Sequence, residues 1–351
     1  MNTQQLGEDN LIRRLKRLVP GRADVIAGIG DDCAVVRTGR RDPYDILLKS
    51  DPVIEGVHFH QEAKGAAIGH KALGRVLSDL AAMGGEPLWI MVDLVSPPTG
   101  SVANIEAIYK GLARLARRYG AAIVGGDTSS GKVLEVHVFA VGRVPRGKAI
   151  MRSGARPGDV LYVTGTLGGS GLGRHLKFEP RLAEGQWLRN SGLVTAMMDV
   201  SDGLATDLRR LVAASGTGAV LDIVHIPVSG AARRLARQCR DTHLPLTERQ
   251  LHQNEAAPLS LCSGRTLCDR NVPGPSALEH ALADGEDFEL LFTVPRRKVK
   301  LFESAWRKAF RLPCTRIGEM TAKPGRVELR DGLCCEELTL RGYEHFNHCL
   351  Q

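Results

Sequence analysis

The sequence predicts an α/β protein of two domains, of the α+β type because its strands and helices do not alternate strictly. Its 351 residues exceed what one small core usually organises. Apolar strand-like runs and amphipathic helical runs follow each other along most of the chain. A stretch rich in glycine, proline and basic residues at 144–158 separates two such series. We therefore predict domains at 1–149 and 150–351.

The first series contains three predicted strands and two predicted helices. Apolar residues at helical spacing indicate helices over 66–83 and 102–119, and the second ends before Gly120, which suits a C-cap. A strand is predicted at 45–50. A buried strand at 121–124 and a half-buried strand at 133–141 follow.

The second series begins with a strand at 160–163 and a glycine-rich turn at 165–173. A helix at 204–214 follows, with strands at 219–223 and 289–294. Between them, about 238–276, lies a polar stretch with dispersed proline and glycine. Structureless segments of this length are uncommon in compact domains, so we interpret it as an atypical insertion and assign it no secondary structure.

The composition is that of an ordinary globular protein, with 43% hydrophobic and 25% charged residues. No run approaches the roughly 18 apolar residues of a membrane span, and the segment MNTQQLGEDNLIRRL does not resemble a signal peptide. We therefore expect a cytoplasmic protein without membrane contact. The net charge of +8 comes from scattered residues, and aromatic residues make up only 5%, so nucleic-acid binding is not expected.

The eight cysteines show no C-x-x-C pair and no zinc spacing with histidines. In a reducing compartment they are most simply free thiols.

Acidic residues recur where apolar segments end. They occur as GDD at 30–32, SD at 50–51, GGD at 125–127, DVSD at 199–202 and DGED at 284–287. Asp79 adds another carboxylate, expected to face out of an apolar helix. Carboxylates beside glycine turns suit hard cations, and scattered ones suit magnesium bridging to phosphate. Each aspartate could instead be a turn former or cap, Asp202 in particular.

Common phosphate-binding signatures are missing. The chain contains no G-x-x-x-x-G-K-[ST] loop and no H-R-D or D-F-G landmark. The sequence GGSGLG at 168–173 follows a strand but fails G-x-G-x-x-G at its last position. Whether this segment cradles phosphate or only turns the chain stays open.

Taken together, the order and the residues of these motifs resemble those of the thiamine-monophosphate kinases. Their superfamily includes aminoimidazole ribonucleotide synthetase and selenophosphate synthetase. The matching segments are GE at 7–8, GIGDDCA at 28–34, SD at 50–51, EGVHF at 55–59, KAL at 71–73, LSDLAAMG at 77–84, GGDT at 125–128, RSG at 152–154, PGD at 157–159, VTGT at 163–166, SDG at 201–203 and GED at 285–287. They cover roughly four-fifths of the chain.

The resemblance implies ATP-dependent phosphorylation of thiamine monophosphate to thiamine diphosphate. The acceptor is already a phosphate oxyanion, so no general base is required, and magnesium ions would bring the two polyanions together. It also implies a two-domain aminoimidazole ribonucleotide synthetase-like fold, a homodimer formed through the N-terminal sheet, and an active site between the domains.

Site residues carry over from the resemblance by position. Magnesium ions would be held by Asp32, Ser50, Asp51, Asp79, Asp127, Asp199 and Asp202. ATP would be contacted by Gly126, Asp127, Arg152 and Ser201. Thiamine monophosphate would be contacted by His58, Glu286 and Phe346, with Tyr343 as the second choice for the aromatic contact. An ordinary hydrophobic anchor is the alternative for that aromatic residue.

Two features depart from the family pattern. Lys49 stands two positions before Asp51 where a small hydroxyl residue is usual, and on a strand the two share a face. Its ammonium either replaces part of the charge of one magnesium site or points to solvent. The other departure is the insertion at 238–276. Two alternatives stay open: a related ATP-dependent synthetase of the same superfamily acting on another phosphorylated acceptor, and a non-catalytic nucleotide-binding homologue, which Lys49 keeps possible.

Overall fold

The computed structural model describes residues 2–241 and 275–343. Two mixed sheets organise these residues, and antiparallel pairings predominate in both. The α+β fold class predicted from the sequence is therefore confirmed. The first sheet has the strand order β1-β2-β3-β6-β4-β5. Its strands are β1 (Val25–Ala27), β2 (Ala34–Val36), β3 (Tyr44–Ile54), β4 (Glu86–Ser96), β5 (Ala122–Ser130) and β6 (Glu135–Pro145).

The second sheet is built from the other half of the chain, in the order β13-β12-β9-β11-β7-β10-β8. Its strands are β7 (Val160–Thr164), β8 (Ala196–Val200), β9 (Gly218–Asp222), β10 (Glu289–Val294), β11 (Cys314–Thr321), β12 (Val327–Asp331) and β13 (Cys334–Glu337). β7, β8 and β10 are buried throughout. The first sheet ends at Pro145 and the second begins at Val160. The domain bounds at 1–149 and 150–351 stay a prediction.

The described residues also form α-helices. They are α1 (Thr3–Leu6), α2 (Glu8–Lys16), α3 (Gly65–Ala82), α4 (Val102–Arg118), α5 (Leu182–Ser191), α6 (Leu204–Ser215), α7 (Gly230–Asp241), α8 (Ala277–Ala283) and α9 (Val299–Ala309). In the described part of the chain, none of them is long and apolar enough to cross a membrane.

α3 is the helix that joins the two halves. It contacts β3, β6 and α4 of the first half, and α5 and β8 of the second. Its apolar residues, including Leu77 and Leu80, belong to one core cluster with Tyr162 and Leu188 from beyond the boundary. A helix enclosed in this way is buried nearly all round, so its few polar residues are placed inside the protein.

Most predicted elements are present with longer bounds, but one burial expectation is wrong. The strand expected to be buried at 121–124 is the start of β5, which is exposed along almost its whole length. In the described part of the chain β5 pairs with β4 alone and forms an edge of its sheet, so its apolar residues lack a second neighbouring strand there. The predicted insertion begins within the last turn of α7 and ends at the cap of α8, and residues 242–274 lie outside the described residues.

We predict that Gly69→Ala destabilises the protein, because α3 and α4 approach too closely for a side chain there. A Cβ atom at Gly69 would lie 2.0 Å from the carbonyl oxygen of Ile108 in α4. Overpacking of this kind typically lowers the free energy of unfolding by about 1–3 kcal/mol. Denaturant unfolding measures the loss.

Gly230→Ala in α7 is the matched control, because its Cβ would meet only the Arg234 side chain, at 3.7 Å. We expect this control to leave stability unchanged or slightly raised. Equal unfolding midpoints for both variants would contradict the close-packing explanation.

Candidate active site

Three buried carboxylates converge where the two halves meet. Asp32 comes from the loop before β2, Asp79 from α3, and Asp199 from β8. Each offers an oxygen within 4.8 Å of the others. Their exposed fractions are 1%, 7% and 2%. The expectation that Asp79 faces outward is wrong, because α3 is enclosed on all sides and its polar face is directed into the protein. We call Asp32, Asp79 and Asp199 the carboxylate triad.

The triad has the properties of a site for a hard cation. Burial, followed by repulsion from Asp32, raises the pKa of Asp199 to about 7. Burial also raises the pKa of Asp79 well above its ordinary value, against the attraction of Lys49. Asp199 accepts a hydrogen bond from Ser78 at 2.6 Å, whereas the buried Oδ2 of Asp32 has no hydrogen-bond partner among the described residues. Clustered carboxylate oxygens of this kind fit magnesium.

Lys49 and Asp51 lie beside the triad, on the face of β3 that packs toward α3. The Nζ atom of Lys49 is 3.2 Å from Oδ2 of Asp79 and 3.7 Å from Oδ2 of Asp51. The alternative in which Lys49 points to solvent is therefore wrong. Burial would lower the pKa of Lys49, but Asp79 and Asp51 hold it above its ordinary value. Burial would raise the pKa of Asp51, yet Lys49 and Arg75 hold it below its ordinary value.

Arg152 binds the other side of the triad. Its Nη2 and Nε atoms donate to Oδ1 of Asp32 at 2.6 and 3.1 Å. The Arg152 amide also donates to Asp31 at 3.3 Å. Burial, and then the neighbouring Asp32, raises the pKa of Asp31 to about 6. Arg152, which is predicted to contact nucleotide, thus lies at the triad. Its guanidinium has further N–H donors besides the two that bind Asp32.

Arg75 is a site residue that the sequence analysis missed. Burial would lower its pKa, but Asp51, Glu286 and Asp202 hold it above the ordinary value. The Arg75 guanidinium therefore lies close enough to interact electrostatically with carboxylates predicted for metal and for substrate. A sequence signal was available: Lys71, Arg75 and Asp79 recur every four residues in an otherwise apolar helix, which places them on one helix face.

Glu286 is held between Lys71 and His175. Lys71 Nζ is 2.5 Å from its Oε1, and His175 Nδ1 is 2.9 Å from its Oε2. Burial would raise the pKa of Glu286, but Lys71 and His175 lower it. Burial lowers the pKa of Lys71 to about 8, in spite of Glu286. Lys71 also donates to the carbonyl of His58, so the two residues predicted to contact substrate share this lysine.

The backbone at Glu286 is unusual for a residue with a side chain. Its φ of 65° lies in the left-handed region, where non-glycine residues are strained. Its amide donates to the carbonyl of Ser201 at 2.6 Å. The loop that contains Glu286 is thereby fixed to the loop that contains Ser201 and Asp202.

Asp202 does not cap α6. The N-cap is Gly203, without a side-chain bond, and Asp207 instead accepts from the amides of Ser201 and Asp202 at 3.0 and 2.9 Å. The Asp202 carboxylate is bound by Arg210. The capping alternative for Asp202 is therefore wrong.

Of the two predicted aromatic contacts, only Tyr343 can be placed. Its amide donates to the carbonyl of Asp202 at 2.9 Å. Burial, and then Asp202 and Glu286, raises the pKa of Tyr343 to about 12. Tyr343 therefore lies at the Glu286 end of the site. Phe346 lies outside the described residues.

Ser50, Gly126 and Asp127 are not brought to the triad. Ser50 precedes Asp51 on β3, so its side chain faces the other side of the sheet. The strand register pairs Asp127 of β5 with Asp93 of β4 and continues through β6 to β3. Asp127 therefore lies on the same face of the sheet as Ser50. β5 lies three strand spacings from β3, about 14 Å. Within one chain, the predicted ligands therefore divide between the two faces of the first sheet.

The glycine-rich segment after β7 is a turn held by carboxylates. The amide of Gly168 donates to Asp287 at 2.8 Å, and that of Gly169 donates to Asp284 at 2.7 Å. Ser170 donates its hydroxyl to Asp287 at 2.6 Å. Donors already used by carboxylates do not attract phosphate, so these contacts favour the chain-turning alternative.

Comparison with known proteins identifies relatives along nearly the whole chain. Family models described as "AIR synthase related protein" match its N-terminal domain over residues 30–144 and its C-terminal domain over 156–330. The thiamine-monophosphate kinase of Escherichia coli K12 is 35% identical, covering 97% of this chain and 98% of the relative. That of Rhodopirellula baltica is 35% identical, covering 86% and 85%.

Solved structures show the same relationship. A structure described as "AaThiL complexed with AMPPCP and TMP" is 28% identical, with a TM-score of 0.76, covering 98% of this chain and 99% of the other. A thiamine-monophosphate kinase from Stenotrophomonas maltophilia is 31% identical, with a TM-score of 0.66, covering 91% and 95%. The two-domain fold expected from the sequence is thereby confirmed.

We predict that Asp199 makes the metal-free protein less stable as pH rises. Its pKa of about 7 in the folded chain exceeds the ordinary value of 3.8. The folded state therefore holds this proton more tightly, and that contribution to stability is complete below about pH 4 and lost as pH rises through about 7. In EDTA, the Tm of Asp199→Asn should fall less between pH 5 and 8 than that of the unchanged protein. We expect a difference of about 2–4 °C or more, measured by thermal unfolding.

Asp331→Asn on β12 is the control for this measurement, because that carboxylate is exposed. It should reproduce the pH dependence of the unchanged protein. If Asp199→Asn also reproduces that pH dependence, the pKa of Asp199 is not raised in the folded protein.

Proposed function

The chain belongs to the thiamine-monophosphate kinase family of AIR synthase related proteins, and we propose that it catalyses ATP-dependent phosphorylation of thiamine monophosphate to thiamine diphosphate. The observation that carries this proposal is the buried carboxylate triad, which forms between the two halves and includes Asp79 of α3, the helix whose Lys71 contacts Glu286. The near-full-length identity to thiamine-monophosphate kinases supports it.

We propose that Asp32, Asp79, Asp199 and the adjacent Asp51 hold magnesium. When bound, magnesium would neutralise and align the phosphates of donor and acceptor. The chain supplies oxygen ligands from four separate elements, already converged before any ligand arrives. No general base is needed, since the acceptor oxygen belongs to a phosphate. Asp202, Ser50 and Asp127 stay predicted ligands outside the triad.

Nucleotide binding is proposed for Arg152 and Ser201. Arg152 uses Nε and Nη2 on Asp32, and a guanidinium has five N–H donors in all. The remaining donors suit phosphate oxygens beside the triad. Ser201 lies on the loop that is fixed by Asp207 and by the amide of Glu286. Gly126 stays a prediction on β5.

Thiamine monophosphate is proposed to bind at the other end of the site, near Glu286, His58 and Tyr343. The thiazolium ring of the substrate is cationic, and Glu286 is kept ionised by its neighbours Lys71 and His175. Tyr343 lies close enough to Glu286 and Arg75 for their charges to affect its pKa, so an aromatic ring is present at this end. Lys71 and His175 would act here as positioning residues.

Homodimer formation through the first sheet is also proposed. The face of this sheet opposite the triad exposes large apolar side chains from neighbouring strands. They are Leu48, Trp89, Met91, Val124 and Phe139. A contiguous apolar face of this kind is typical of an association surface. Ser50 and Asp127 lie on the same face, so a second copy would cover both. The cytoplasmic location predicted from the sequence belongs to the same proposal.

We predict that the purified protein forms thiamine diphosphate from thiamine monophosphate only when ATP and Mg²⁺ are both present. Asp51→Asn should lower kcat by about 100-fold or more, the usual cost of removing one electrostatic contact to a transition state. Product formation followed by chromatography measures both outcomes.

The control is Asp331→Asn, which should keep full activity. A folded protein that makes no thiamine diphosphate would overturn the kinase assignment, and an Asp51→Asn variant of undiminished activity would remove Asp51 from the site.

We predict that Phe139→Glu produces a monomer, because a charge is placed in the middle of the apolar face. Leu301→Glu is the matched control, since Leu301 is an exposed apolar residue on α9, away from the first sheet. Sedimentation should show a dimer for the unchanged protein and the control, and a monomer for Phe139→Glu. A monomeric unchanged protein would refute this part of the proposal.

A further inference from the structure

Lys49 is a fixed cation among four carboxylates, which we call the acidic cluster: the carboxylate triad and Asp51. Alternation along β3 puts Leu47, Lys49, Asp51 and Val53 on the face toward α3, and the side chain of Lys49 is only 22% exposed. Its Nζ atom lies between Asp79 and Asp51, at 3.2 and 3.7 Å from their oxygens. A lysine ammonium is a compact point charge, comparable in placement to a bound cation.

The cluster therefore has one closed side and one open side. On the closed side, Lys49 bridges Asp51 and Asp79. On the open side, Asp32 offers a buried oxygen that has no hydrogen-bond partner within residues 2–241 and 275–343, and Asp199 lies within reach of it. Arg152 uses only the other oxygen of Asp32. A divalent ion at the open side meets the Asp32 oxygen to which Arg152 does not donate, whereas one between Asp51 and Asp79 meets the ammonium directly.

We propose that the Lys49 ammonium takes the place of one divalent cation between Asp51 and Asp79, so that this chain binds one ion fewer than it would with a neutral residue at position 49. This inference rests on the proposed function only in taking the cluster to be a magnesium site. Two like charges a few ångströms apart repel strongly in a buried site, so the lysine and the ion exclude each other. Lys49 also keeps Asp51 and Asp79 together while no metal is bound.

Counting bound ions tests the proposal without using catalysis. Mn²⁺ is titrated into the full chain, alone and with a non-hydrolysable ATP analogue, and free Mn²⁺ is measured by electron paramagnetic resonance. Lys49→Thr should bind one more Mn²⁺ per chain than the unchanged protein. Lys49→Arg keeps the charge and should bind the original number. Lys110→Thr is the control: that lysine is 73% exposed and pairs only loosely with Glu106, at 3.9 Å, so the ion count should not change.

Thermal unfolding gives a second readout that does not depend on a full titration. In EDTA, Lys49→Met should unfold at least about 2–4 °C below the unchanged protein, because Asp51 and Asp79 then lose their neutralising charge. Mg²⁺ should restore most of that loss, since the ion can occupy the position that the ammonium has left. A loss of the same size in EDTA and in Mg²⁺ would mean that Lys49 is an ordinary ion pair, and would overturn the proposal.

The two proposals fail in different ways. An unchanged ion count in Lys49→Thr, together with normal formation of thiamine diphosphate by the unchanged protein, overturns only the role of Lys49. An extra Mn²⁺ in Lys49→Thr, together with no thiamine diphosphate from the unchanged protein, supports the role of Lys49 and overturns the kinase assignment.

Discussion

The approach of three buried carboxylates from separate elements is the constraint on which the rest of the site depends. Asp32, Asp79 and Asp199 repel one another, and each loses the hydration that would stabilise its charge. The chain offsets this cost locally, with Lys49 on one side of the triad and Arg152 on the other. An arrangement that folding alone would avoid is maintained here, and such sites are characteristic of function.

Helix α3 transmits this constraint to the substrate end of the site. Lys71, Arg75 and Asp79 follow one another at intervals of one turn, so a single rigid element reaches both Glu286 and the triad. At Gly69, α3 also approaches the backbone of α4 so closely that a side chain there would clash with it. A displacement along α3 would therefore change the metal end and the substrate end together.

The two faces of the first sheet have different tasks. On β3, Lys49 and Asp51 face the triad. Leu48 and Ser50 alternate with them and face the exposed apolar side of the sheet. In the proposed homodimer, that outer face becomes an interface, and the predicted ligands on it lie next to a second copy. Association and catalysis would then share one set of strands.

Much of this protein was determined by its sequence alone. The motif order predicted the family, the succession of strand-like and helical runs predicted the α+β class, and strand alternation predicted that Lys49 and Asp51 share a face. Local periodicity carries this information, because it decides which residues of one element point the same way. The burial of Asp79, the hold of Lys71 and His175 on Glu286, and the separation of Asp127 from the triad were decided only by the tertiary structure. Distances between elements depend on how helices and sheets pack across the whole chain, and no local pattern encodes them.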